Sequence, residues 1–144
     1  MDIHLLHTSF WTAQKIESTY ILSIKDNISI VAAFKDFITR QKIHSGCISG
    51  MGLVKEARLR LNDPFSKKSI DAVTEDVMEV PEISGCINHN GASAEIHLNA
   101  RLVSNDTSLS GSLIDAKVYD KMEFIIRPAR SITTFFGQGD PYCN

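Results

Sequence analysis

The chain has 144 residues, a formal net charge of −2, 43% hydrophobic and 22% charged residues, and three cysteines. A chain of this length buries roughly 68–70% of its unfolded surface, so it can fold without disulfides or a structural metal, and its near-average composition excludes collagen, coiled coil and long disorder. The longest apolar runs fall short of the ~18 residues of a membrane span, and Met1-Asp2-Ile3-His4 lacks the basic start of a secretory signal, which predicts a cytoplasmic protein with no membrane partner. Cys47, Cys86 and Cys143 are odd in number and far apart, a pattern of reduced thiols with two of them in the core. Fifteen basic against seventeen acidic residues give no global field for nucleic acid, which leaves only local patches.

No repeat, low-complexity tract or linker divides the chain, so residues 1–144 read as a single domain. Residues 1 to 14 show no clear periodicity. Tyr20 to Ile24 is rich in strand formers and closes on Asp26-Asn27. Ile30, Val31, Phe34, Phe37 and Ile38 then recur at three- and four-residue spacing, the mark of one amphipathic helix, with Asn27 or Ser29 as its cap and Ser45-Gly46 as its end. Period two takes over from Val54 to Leu61, until Asn62-Asp63-Pro64 opens a polar loop through Ser69. Val77 to Val80 and Ile83 to Ile87 read as strands around Pro81, followed by a hairpin turn at Asn88-His89-Asn90-Gly91.

The next strand is the clearest. Ala94, Ile96, Leu98, Ala100 and Leu102 alternate with Ser93, Glu95, His97, Asn99 and Arg101, so that one face is wholly polar. After a turn at Asn105-Asp106, Leu109 to Val118 and Met122 to Ile126 give two more strands. Strand, helix, then several hairpin-linked strands imply an α+β fold, a mainly antiparallel sheet packed against one principal helix.

Several of these segments, taken in order, resemble the plants-and-prokaryotes-conserved (PPC) domain family. Ile43 to Gly52 resembles the glycine-punctuated stretch after its first helix, and Val80 to Ile87 resembles its short strand before a Gly. Glu95 to Ala100 and Leu109 to Leu113 stand where the family carries a His-x-His strand and a Gly-Gly-His strand, and Glu123 matches its closing strand. The resemblance covers about 16–126, leaving 1–15 and 127–144 as terminal extensions. It implies a homotrimer with a DNA-binding or DNA-associated role. The AT-hook of the plant proteins is not present, so the chain is similar to the stand-alone prokaryotic type, in which three histidines gather a metal ion. Here His97 keeps the first ligand position while Asn99 and Ser112 take the other two. An amide and a hydroxyl are poor substitutes for imidazole on zinc, so the expected metal and cofactor are none.

Three functional readings compete. A nucleic-acid-associated module would use Lys55, Arg58, Arg60, Lys67 and Lys68 on phosphates, against the plainer reading of a solvated basic face. A small-ligand or partner-binding module would use a polar pocket at His97, Asn99 and Ser112, against a satisfied histidine on an exposed strand. An enzyme has least support: there is no nucleophile elbow, phosphate loop or dinucleotide fingerprint. Catalysis would rest on His97 oriented by Asp115 or Glu95, or on Cys47 near His44, and no catalytic residue is assigned. Cys86-x-x-His89 has metal-like spacing but no second pair to complete four ligands. The aromatic stretch Phe135 to Tyr142 is either a strap across a neighbouring subunit or a frayed end.

Overall fold

Phe34, Phe37 and Ile38 are buried on the face of α1 (Ile30–Gln41), the helix of a computed structural model that describes residues 3–62, 65, 68–90 and 93–129. Its first N–H groups need acceptors. Ser29 supplies one, its hydroxyl accepting from the Ala32 N–H, whereas Asn27 has φ 66 and belongs to the preceding turn. The helix stops at Lys42, earlier than the glycine at position 46 suggests. Lys42 adopts the left-handed conformation (φ 56), and its N–H meets the carbonyls of Ile38 and Thr39.

The strands are β1 (Ile3–His7), β2 (Trp11–Ile16), β3 (Thr19–Lys25), β4 (Gly46–Asn62), β5 (Ser69–Thr74), β6 (Met78–Asn90), β7 (Ser93–Val103) and β8 (Ser108–Pro128). They pair antiparallel in the order β1-β2-β3-β8-β7-β6-β4-β5, and β4 also pairs with β8. The four strands β8, β7, β6 and β4 therefore close on themselves, while β3, β2 and β1 extend the sheet from β8.

Several elements differ from the sequence reading. Residues without legible periodicity form β1 and most of β2, and the unassigned stretch after the expected loop is β5, which takes in only the last loop residue, Ser69. The glycine-rich stretch from Gly46 is the first part of the 17-residue β4, which shifts register between Gly50 and Gly52. Pro81 does not divide its region: it falls where β6 shifts register against β7 between Glu79 and Glu82, a place where a missing ladder N–H is tolerated. The two expected final strands are one 21-residue β8. Asp120 (φ 68) interrupts its apolar pattern, and its N–H donates to Asp26 Oδ1.

The core lies between α1 and the sheet. Trp11 and Tyr20 each meet Phe37 edge to face, at 5.0 and 5.1 Å between ring centroids, and Phe34 meets Phe124 at 4.8 Å. Such contacts add to the area these rings remove from water. Among the described residues no polar or charged side chain is buried, and no helix is long and apolar enough to cross a membrane.

Candidate functional site

Strand alternation sends Leu98, Ala100 and Leu102 into the core and leaves Glu95, His97, Asn99 and Arg101 exposed on the outer face. Asn99 lies opposite Ser112 of β8, whose hydroxyl donates to Asn99 Oδ1 at 3.4 Å. His97 turns the other way along the strand: its Nε2 is 3.8 Å from Glu95 Oε2, with both side chains at least half exposed. Strand rise separates the two backbones, yet the long Glu95 side chain spans it, and a solvated pair of this kind contributes little to stability. Across the ladder His97 faces Cys86. The adjacent Gly85 is required there, because a Cβ at that position would collide with the His97 carbonyl oxygen.

The donor set at these positions does not fit zinc. One imidazole, one amide oxygen already accepting from Ser112 and one hydroxyl are not the nitrogen, thiolate or carboxylate ligands such an ion takes. Among the described residues no three His, Cys, Asp or Glu side chains gather around one point. Cys86 and His89 do not converge either. Three residues apart on β6, they point to opposite faces: Cys86 Sγ accepts from Asn88 at 3.3 Å, and the His89 ring meets His44 at 5.1 Å. Cys86 is a free, half-buried thiol, but Cys47 is disulfide-bonded, so the expectation of reduced thiols fails at Cys47 and neither of these two cysteines is fully buried. Cys143 and the aromatic stretch lie outside the described residues.

Of the catalytic pairings, only His97 with Glu95 comes together, as a solvent-exposed contact at 3.8 Å. Asp115 is committed to the start of α1, where its carboxylate accepts from the Ser29 hydroxyl at 2.7 Å and from the Val31 N–H at 3.2 Å. His44 packs on His89, and the Cys47 sulfur is in its disulfide.

The basic candidates follow β4. Arg58 and Arg60 are exposed to either side of buried Leu59. Lys55 lies over the Tyr119 ring at 6.0 Å, and Arg60 Nε donates to Asp71 Oδ1 at 3.1 Å. Lys68 is exposed just before β5, and Lys67 lies outside the described residues. Register then joins two groups that sequence keeps apart. Arg60 is opposite Ser112, Ser112 is opposite Asn99, and Ser110 is opposite Arg101. Cross-strand partners share a face, so Arg60 and the polar row of β7 form one exposed surface bridged by the serines of β8, and Arg58, exposed two residues along β4 from Arg60, flanks it where the register shifts against Asp115. Arg101 thereby joins the basic candidates, although the sequence pattern marks only its exposed strand position.

Comparison with known proteins gives a consistent picture. Residues 12–130 match the Plants and Prokaryotes Conserved (PCC) domain, a wider span than the motifs alone cover. A structure of a candidate DNA-binding protein from Bacteroides thetaiotaomicron is 28% identical and superposes with a TM-score of 0.79 over 85% of this chain and 87% of that one. A metal-containing protein from Archaeoglobus fulgidus (18% identity, TM-score 0.71, 86% of each chain) shares the fold. So does a plant- and prokaryote-conserved protein from Pyrococcus horikoshii (15%, TM-score 0.70, 88% of this chain and 87% of that one). No protein with a curated description matches. The segments that suggest the family fall in place in this fold, at the start of β4, through β6 and β7 and at both ends of β8, and with the match over 12–130 they establish that the chain belongs to the Plants and Prokaryotes Conserved domain family.

Proposed function

We propose that the protein is a non-enzymatic, homotrimeric module that associates with DNA through the outer face of β4, β8 and β7. The observation that carries this reading is the register placing Arg60 and Arg101 on one exposed surface with Asn99, Ser110 and Ser112, flanked by exposed Arg58. Guanidinium groups and short hydroxyl or amide side chains are the groups that hold phosphate oxygens. Arg60 is partly engaged by Asp71 and Arg101 lies opposite Glu82, so one protomer offers a modest charge, and three copies multiply it. The guanidinium, hydroxyl and amide groups of this surface are phosphate ligands, so the proposed binding is chiefly to the backbone and tolerant of sequence. The resemblance of the fold to a candidate DNA-binding protein at 28% identity supports the same reading.

The test pairs native mass spectrometry, which counts copies, with gel-shift titration of duplex DNA at low salt. A trimer that shifts DNA, and loses most of that shift in R58Q/R60Q while keeping its assembly, is the expected result. A monomer, or no shift at low salt, overturns the proposal.

A further inference from the structure

A cleft of about 850 Å³ opens between α1 and the first half of β7; Glu95 and His97 of the polar row reach its edge, but Asn99, Ser112, Arg58, Arg60 and Arg101 do not line it. Its walls divide by chemistry. Val31, Ile38, Ile96, Leu98 and Leu113 supply an apolar side, drawn from α1, β7 and β8. Lys35, Lys42, His44 and His89 supply a nitrogen-rich side.

The nitrogen-rich side is exposed to water and has little carboxylate of its own to neutralise it. Some cations of the chain find carboxylates, as Arg40 does on Asp36, Arg60 on Asp71 and Lys117 on Glu56, and others find a carbonyl or a ring, as Lys25 does on Thr8 and Lys15 on Tyr20. Among the described residues Lys35 and Lys42 form no ion pair, and the edge-to-face rings of His44 and His89 have no hydrogen-bond partner. Glu95 is the one carboxylate among the lining residues, and it is turned to His97. Lys42 also holds the left-handed helix-end position at φ 56, where glycine is the favoured residue. A cation therefore occupies the cleft rim at a position where backbone preference argues against any side chain.

We propose that this cleft binds a small organic anion, with a carboxylate or phosphate head against Lys35, Lys42 and the two imidazoles and an apolar body along Ile38, Ile96 and Leu113. The volume falls within the roughly 300–1,000 Å³ of small-molecule sites, and such sites join a mostly apolar wall to a few convergent polar groups. The head is held by charge-assisted hydrogen bonds, and the body by removal of apolar surface from water.

The experiment is calorimetric titration and thermal unfolding of the full chain with octanoate, octyl phosphate, octylammonium and acetate. Octanoate or octyl phosphate should bind once per protomer and raise Tm, the tighter of the two identifying the head group. Octylammonium, with the wrong charge, and acetate, without the body, should do neither. K35Q/K42Q should weaken the anion by about tenfold or more, while R58Q/R60Q leaves its binding unchanged, which separates this site from the DNA-binding surface. The unliganded Tm of each variant shows that it folds. Equal binding of octanoate and octylammonium, no binding of either octyl anion, or an unchanged affinity in folded K35Q/K42Q overturns the proposal.

Discussion

Asp115 gives the sharpest test of how the sheet holds the helix. Its carboxylate on β8 accepts from the Ser29 hydroxyl at 2.7 Å and the Val31 N–H at 3.2 Å, and Ser29 in turn caps the Ala32 N–H. Asp115→Ala removes both acceptors. A hydrogen bond to a charged group contributes about 1.5–3 kcal/mol, and the longer Val31 bond belongs at or below the lower end of that range. The negative charge near the helix start adds about 0.3–1 kcal/mol. Ser29 can turn its hydroxyl to water, which offsets part of the loss, so the expected cost of Asp115→Ala is about 2–4 kcal/mol. Asp115→Asn keeps an acceptor and forfeits mainly the charge, costing about 0.3–1 kcal/mol. Urea unfolding followed by far-UV circular dichroism and by the fluorescence of buried Trp11 measures both. Ser29→Ala with Asp115→Ala should cost less than the sum of the singles, because they share one bond. An Asp115→Ala variant within about 0.5 kcal/mol of wild type, the range of an ordinary surface substitution, would refute the reasoning.

Three other substitutions probe the acid limb, the sheet and the helix end. The Asp36 carboxyl is held below its ordinary value of 3.8 by hydrogen bonds, first from Arg40 and then from the indole N–H of Trp11. A depressed folded-state value means that the stability it contributes is complete above about pH 4 and is lost as pH falls through the folded value, so Asp36→Asn should flatten the acid limb of Tm against pH. Superimposable acid limbs would contradict this, and high salt should narrow the difference because Arg40 is largely exposed. Gly85→Ala should destabilise the fold by about 1–3 kcal/mol or more, since its methyl meets the His97 carbonyl, and amide exchange on β7 should quicken; an unchanged Tm would show that the strands part freely. Lys42→Gly should raise stability by about 1 kcal/mol in urea unfolding by relieving the left-handed cap, and a loss would refute that account of the helix end.

The legible parts of the fold are those where one face is buried and the opposite face is not. The stripe from Ile30 to Ile38 announces α1, and the alternation from Ala94 to Leu102 announces β7, because water sorts their residues cleanly. β1 carries Ile3 and Leu5 on an exposed face, so its hydrophobic residues do not mark an inward side. β8 reads as two strands because Asp120 and Lys121 break the apolar pattern, although the backbone continues through them by way of a left-handed residue. The cap is ambiguous in sequence because Asn27 and Ser29 offer equal chemistry, and only the Asn27 backbone excludes it. His97, Asn99 and Arg101 are visible as a polar row, but their union with Arg58 and Arg60 depends on register shifts along β4, between Lys55 and Arg58 and again after it. The cleft draws on α1, β6, β7 and β8, whose proximity no local pattern encodes.

The most direct measurement of the central claim is the salt dependence of duplex DNA binding, by fluorescence anisotropy, for the wild type and for R58Q/R60Q. Each phosphate neutralised contributes about −0.9 to the slope of log K against log salt. The account predicts a steep slope for the wild type and a shallower one for the variant, by about 0.9 for every phosphate that the assembled variant no longer neutralises. Equal slopes for the two proteins, or no binding at low salt, would contradict it.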